Sequence, residues 1–361
     1  MNSNPYHISS LLIENFKSVK HLEISPKRIN IFVGKPNVGK SNILEAISML
    51  SNTSTINDVV RFSHTYQLFY DNEVTQPIKI FTDSISAILS SEKTSSGFTY
   101  YLGNNKNDVK TSFSLTEESS ELDLKNTIFP RLKLSNPDFS LYRTQVDESG
   151  KFFNQTMYGS LIESNIKRYS FSSKTSALSH SFNSSFLNPP HGDNLFTILS
   201  TNKSLRQDAV SFFEEYGLEF LIDQVNKTFE IQKRIEGLSY KYSYDLIADT
   251  LKRIIFYLAA IKSNSNAVIL LEEPEAHCFP PYIARIAKEI IEAETNQFFI
   301  ATHSPYLLNT IIENSKFEDI AVYVSSFSDY QTKVRKLTDE ELTEMLDFGT
   351  DVFFNYDAFV E

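Results

Sequence analysis

The stretch Gly34 to Ser41 reads GKPNVGKS, a complete G-x-x-x-x-G-K-[ST] motif, and its flanks narrow what the chain can fold into. The run Ile29, Ile31, Phe32, Val33 before it has the character of a strand. After it, SNILEAISML places Ile43, Leu44, Ile47 and Leu50 at helical spacing, which predicts a helix with one face packed on a sheet. A strand, a tight glycine loop and a helix in that order make a phosphate-binding loop. Gly34 and Gly39 let successive backbone N–H groups surround phosphate oxygens, at a helix N-terminus whose partial positive charge favours an anion. Lys40 then belongs on the β- and γ-phosphates, and the Ser41 hydroxyl on Mg2+. Asn37, Val38 and Asn42 lie in the same loop and first helical turn and are grouped with the nucleotide-binding residues.

A second set of polar groups lies far along the chain. Ala267 to Leu271 is AVILL, a continuous apolar run of the kind that fills a buried parallel strand, and it ends on Glu272, Glu273, Pro274 and Glu275. Ligands of open α/β sheets bind at the carboxyl ends of such strands. Three carboxylates so close together repel one another unless a cation sits among them, and Mg2+ with ATP is the expected source of that charge. Another apolar run, QFFIAT from Gln297 to Thr302, leads into His303, Ser304 and Pro305, placing His303 at a second strand end.

The rest of the chain falls into blocks. Residues 1–71 hold two short strand candidates, HISSLLIENF and HLEI, ahead of the phosphate loop. Residues 72–242 are rich in Ser, Asn, Lys and Tyr, with strand-like pieces at Pro77 to Phe81 and Phe98 to Leu102. A turn-rich LNPPHGDN follows, and then SLRQDAVSFFEEYGLEFLIDQVNKTF, which predicts a helix broken in two at Gly217. Residues 243–361 alternate helix and strand, which implies a parallel, covered sheet. Thr338 to Glu341 reads TDEE, a capping-box start to a last helix. No heptad pattern is sustained, so long coiled-coil arms are not expected.

Composition sets outer limits. A chain of 361 residues with 41% apolar content builds a substantial core. No run approaches the ~20 apolar residues of a membrane helix, and MNSNPYHISS lacks the features of a secretion signal, so a cytoplasmic location is expected. Cys278, the single cysteine, has no disulfide partner and is read as a packing residue. A net charge of -11 argues against a generally basic, nucleic-acid-binding surface.

GKPNVGKS, LLEEPEAH and ATHSP, in that order and with the opening LLIENFKSV, resemble the ABC-type ATPase heads of the RecF, SMC and OLD group. More narrowly, they are similar to the bacterial AAA-type, ABC-like ATPases of phage-defence and toxin-antitoxin operons. The resemblance implies an α/β, ABC-type P-loop head with a mixed sheet and an embedded α+β middle lobe. It implies ATP and Mg2+ as cofactors, Ser41 and Glu272 at the metal, Glu273 polarising the attacking water, and His303 sensing the γ-phosphate. Lys17 is a weaker candidate for approaching the nucleotide. It further implies a homodimer or higher homo-oligomer formed through the heads, and a separate effector protein such as a nuclease or toxin. The sequence departs from the pattern at Glu272, where Asp is usual, and at Asp249, which stands where the signature loop before LKRIIFYLAAI carries glycine. The first departure points to slow hydrolysis. A carboxylate facing a γ-phosphate would repel it, so the second implies another alignment, a loop that moves, or an asymmetric composite site that relies on another chain.

Other readings compete. Asn105 to Asp108 reads NKND, the shape of a guanine-specifying motif, but no D-x-x-G precedes it, and a hydrophilic turn or hairpin tip accounts for it better. About sixty residues follow His303, too few for an appended nuclease domain of ordinary size. A non-hydrolysing, ATP-bound scaffold is an alternative. So is a DNA-repair ATPase of the RecF/SMC kind, which would need a basic groove built from Lys252, Arg253 and other cations.

Overall fold

The strand that feeds the phosphate loop, β3 (Ile29–Val33), is buried at all five positions because it lies inside a sheet covered on both faces. It pairs in parallel with β14 (Gln297–Ala301) on one side and β15 (Ile320–Ser328) on the other. β13 (Val268–Glu272) pairs in parallel with β14, and β9 (Ile166–Tyr169) with β13. At the opposite edge β16 (Gln331–Lys336) returns antiparallel to β15, completing a six-stranded mixed sheet of order β16-β15-β3-β14-β13-β9. The computed structural model from which this architecture is taken describes residues 7–51, 53–91, 97–104, 106–118, 139–159, 162–173 and 185–360.

Period-two alternation divides the core. Val268 and Leu270 face one way and join Phe32 and Phe299 under helix α1 (Lys40–Ser48), whose Ile43, Leu44 and Ile47 fill the same cluster. Ile269 and Leu271 face the other way with Ile31 and Ile300. That side is covered by α3 (Leu195–Thr201), α4 (Lys203–Glu214), α5 (Asp249–Lys262), α6 (Pro280–Glu292) and α7 (Pro305–Asn314). Burying each large aliphatic side chain in these clusters contributes about 1.5–3 kcal/mol.

The far side of α1 is closed by a second sheet. β1 (Leu11–Phe16) and β2 (Val19–Ile24) form the expected pair, and β4 (Ile78–Thr82) joins β1. The sheet continues antiparallel through β5 (Ser86–Ser91), β6 (Phe98–Gly103), β7 (Leu141–Val146) and β8 (Phe152–Tyr158). The stretch 72–242 is therefore shared out: β4–β8 extend the sheet begun by β1 and β2, and β9 edges the phosphate-loop sheet. The strand-like pieces foreseen near Pro77 and Phe98 are β4 and β6. A last helix, α8 (Asp339–Phe348), starts at the expected capping box, with Thr338 and Glu341 bonded reciprocally.

Two expectations fail. After Gly217 the chain is not a second helix but β10 (Glu219–Asp223), which with β11 (Thr228–Ile235) and β12 (Leu238–Ser243) makes a three-stranded antiparallel sheet. Gly217, at φ 66, closes α4 as its N–H bonds to Glu214 O, and Leu218 N–H bonds to Phe213 O. Beyond that stop Phe220 turns to the core beside Phe213 and Phe229, a strand contact that the apolar residues of FFEEYGLEFLI disguised as helical spacing. NKND is likewise not a hairpin tip: Asn105 lies outside the described residues, and Lys106 opens helix α2 (Lys106–Glu118). Among the described residues no helix is longer than the 14 of α5, and none is long and apolar enough to cross a membrane.

Candidate functional site

Two glycines make the turn between β3 and α1 possible. Gly34 has φ 147 and Gly39 φ 95, and a Cβ would lie 2.3 Å from Ser325 O at the first and 1.9 Å from Thr332 Oγ1 at the second. A side chain at either position would collide with the neighbouring hairpin of β15 and β16. Asn37 holds the left-handed region at φ 62. Val38 is buried against Gly34, and Asn42 Nδ2 donates to Ser18 Oγ at 2.7 Å, tying the first turn of α1 to the β1–β2 turn.

Lys40 lies folded back over the loop, its Nζ donating to Gly34 O and Lys35 O at 2.9 Å each. Burial pushes its ammonium down to about 8, an effect partly offset by Glu273. The loop is also braced from the far end of the chain. Lys35 Nζ meets Asp357 Oδ1 at 2.9 Å and lies 4.6 Å from the centre of the Tyr356 ring. The Tyr356 hydroxyl donates at 2.8 Å to Ser325 O, the carbonyl that sits against Gly34.

The end of β13 brings Glu272 to this loop. Burial alone would push its carboxyl up, but the nearby Ser41 hydroxyl and the guanidiniums of Arg168 and Arg61 outweigh burial and hold it below the ordinary range. Arg61 Nη2 lies 2.8 Å from Oε1 and Arg168 Nη2 2.6 Å from Oε2. Both arginines also reach Glu45, a fully buried carboxylate on α1 that pairs with Lys17 as well. Three cations thus surround two carboxylates. The positive charge expected among the acidic residues from Mg2+ and ATP is already present at Glu272 as arginine. Lys17, a weaker candidate for the nucleotide, is committed to Glu45 and to Arg61 O at 2.6 Å.

Sequence reasoning missed Glu45, Arg61 and Arg168. Two of them carry a recognisable signal, a charged residue inside an apolar run: Glu45 in NILEAI and Arg168 in IKRY. Unpaired charge at such positions is costly enough that a partner has to be sought.

The three acidic residues at the end of β13 separate at once. Glu273 adopts φ 44, a left-handed conformation unusual for a non-glycine residue, while its N–H bonds to Ala301 O at 2.8 Å. This turn aims its carboxylate at His303, whose Nε2 is 3.8 Å from Oε1. Burial and the nearby Lys40 charge lower the His303 titration, and Glu273 opposes them. Glu275 turns away from both and is buried, its Oε1 accepting from Thr302 Oγ1 at 2.6 Å and from His303 N–H at 3.1 Å. Lys40, Ser41, Glu272, Glu273 and His303 therefore converge from three strand ends on one place.

Asp249 opens α5, where a carboxylate suits the helix dipole, and Lys252 Nζ lies 3.0 Å from it. Lys252 is buried and Arg253 stacks 4.8 Å from the Phe171 ring centre, so neither contributes to the basic groove that a DNA-repair reading requires. Cys278 is partly buried and its thiol is pushed up to about 11 by burial, which fits packing.

The residues fit magnesium as it is bound with nucleotides. Among the described residues no group of three His, Cys, Asp or Glu side chains could hold a metal ion alone. A serine hydroxyl beside a single carboxylate, with phosphate oxygens completing the shell, suits Mg2+, which is usually held by one or two carboxylates together with phosphates.

The chain is similar to known proteins in sequence and in fold. The family described as "AAA domain, putative AbiEii toxin, Type IV TA system" matches residues 29–309. Among solved structures, an SMC head bound to the C-winged helix domain of ScpA shares the fold, with TM-score 0.50 and 15% identity, covering 94% of this chain and 99% of that one. A Thermotoga maritima SMC head gives TM-score 0.39 at 12% identity, covering 92% and 99%. A Pyrococcus furiosus Smc head with an extended coiled coil, bound to the C-terminal domain of ScpA, gives 0.48 at 14%, covering 95% and 99%. No curated protein gave a significant match.

Proposed function

The chain belongs to the AAA-domain family of the AbiEii-toxin, type IV toxin-antitoxin kind, and from that membership we propose that it binds ATP with Mg2+ and hydrolyses it to ADP and phosphate. One observation carries the reading: Lys40 and Ser41 of the phosphate loop, Glu272 at the end of β13, and Glu273 and His303, facing each other at 3.8 Å, gather in one place, near enough that Ser41 acts on the Glu272 carboxyl and Glu273 on the Lys40 ammonium. In this reading the loop N–H groups and Lys40 bind the phosphates, Ser41 and Glu272 hold the metal, Glu273 orients and polarises the attacking water, and His303 contacts the γ-phosphate. Bound Mg2+ supplies positive charge to the phosphate oxygens, and phosphoryl transfer asks for little beyond such charge and positioning. Of the two guanidiniums on Glu272, Arg61 is the more exposed, at 67% of its side chain against 7% for Arg168, so its oxygen would be the one free to hold the metal.

The biological role that fits this chemistry is a sensor or regulator of an antiviral-defence or toxin-antitoxin complex. ATP between two heads of a homodimer or higher homo-oligomer would hold or release a separate effector, and hydrolysis would shift that balance. A slow or non-hydrolysing scaffold is the second reading, favoured by the two arginines that occupy both oxygens of Glu272. Mass photometry with and without Mg-ATP, beside phosphate release from wild type and Glu273→Gln, separates them. ATP-dependent assembly with turnover abolished in Glu273→Gln supports the switching ATPase. Assembly on ATP with no turnover in either protein supports the scaffold.

A further inference from the structure

We propose that Glu275 is a positioning residue, whose carboxyl group fixes the Thr302–His303 corner so that the His303 imidazole stays opposite Glu273. The inference rests on the roles proposed for Glu273 and His303 and adds a third acidic residue that those roles leave unused. Glu275 lies where β13 gives way to the loop before α6, yet both its hydrogen bonds cross to the end of β14. One oxygen, Oε1, gathers the Thr302 hydroxyl and the His303 N–H. Thr302 Oγ1 in turn accepts from Ser304 N–H at 2.9 Å, and Ser304 caps α7 by accepting from Leu307 N–H at 3.3 Å. The corner that carries His303 is thus pinned at three successive residues, and Glu275 is the pin that reaches over from the neighbouring strand.

The second oxygen, Oε2, is buried and has no partner among the described residues. A carboxylate with one dry, unpaired oxygen is costly. Burial pushes the Glu275 carboxyl up, outweighing the hydrogen bonds from Thr302 and His303, and the nearby Glu273 charge pushes the same way. Oε1 makes both bonds as an acceptor, so the pinning asks only for an oxygen at that position. The groups that face the His303 ring itself are Lys40 and Glu273.

The test follows the His303 imidazole by NMR titration in nucleotide-free protein, its signal among the seven histidines assigned by comparison with His303→Gln. Phosphate release and nucleotide affinity are measured alongside. Glu275→Gln keeps the acceptor oxygen, so the titration and turnover stay at wild-type values. Glu275→Ala frees the corner: the His303 titration rises toward its ordinary 6.5, and turnover falls about 10- to 100-fold with affinity little changed, the pattern of a misplaced group. If Glu275→Ala does not fold, Thr302→Val removes one of the two donors and shifts the titration in the same direction by less. An unmoved His303 titration in Glu275→Ala or Thr302→Val overturns the proposal, and so does a Gln variant as impaired as Ala. Intact phosphate release in Glu273→Gln would instead remove the underlying catalytic reading, while the titration still decides whether Glu275 places His303.

Discussion

β13 and β12 are both short strands, but β13 is buried at its first four positions and β12 is exposed at all six. The first lies between two layers and the second edges a three-stranded sheet. Being covered on both faces forces β13 to be apolar until it leaves the sheet, so its first polar residue falls at the carboxyl end, where Glu272 meets Ser41. β12 is under no such constraint, and polar and apolar residues alternate along it without marking a site. The difference teaches that burial on both faces concentrates chemistry at strand ends.

The largest expected effect breaks the comparison at its functional end. Lys40→Ala removes the buried loop ammonium, and isothermal titration should show nucleotide binding lost by more than about a hundredfold, the scale of a buried charge left without its partner. Next comes stability. Phe299→Ala, in a strand with no exposed position, should destabilise the fold by about 3–5 kcal/mol in urea unfolding. Tyr240→Ala on β12 should stay within about 0.5 kcal/mol, and equal losses at the two sites would end the distinction between the sheets.

A smaller effect is set by pH. Lys40 in the free protein loses its proton near 8, and a bound phosphate demands it back. Affinity should be flat below that pH and fall by up to tenfold per unit above it, about 1.4 kcal/mol, whereas Lys40→Arg should flatten the profile. For folding the sign reverses: the buried charge is a folded-state penalty present below about 8 and relieved as pH climbs toward 10.5. The smallest effect is at Thr338, where an alanine should lower stability by about 1 kcal/mol through loss of the α8 cap.

Legibility followed the same division. β3, α1, β13 and β14 were readable because their burial is written as continuous or helically spaced apolar residues, and the phosphate loop because only glycine tolerates the approach of Ser325 and Thr332. β10 was misread because Phe220 is its one buried residue, and Leu221 and Ile222, only half covered, continue the spacing of α4. Arg61 and Arg168 were invisible for another reason. They reach Glu272 from positions 211 and 104 residues away in sequence, and a lone cation announces no partner at that distance.

The contact of Tyr356 and Asp357 with the phosphate loop has a practical side. The turn holding Tyr356 and Asp357 rests on Ser325 and Lys35, so the nucleotide pocket is assembled only once synthesis has passed Asp357. A ribosome that has not yet reached that residue would hold a glycine loop whose outer wall is still missing. Cutting the chain after α8 would recreate that immature pocket and loosen the loop.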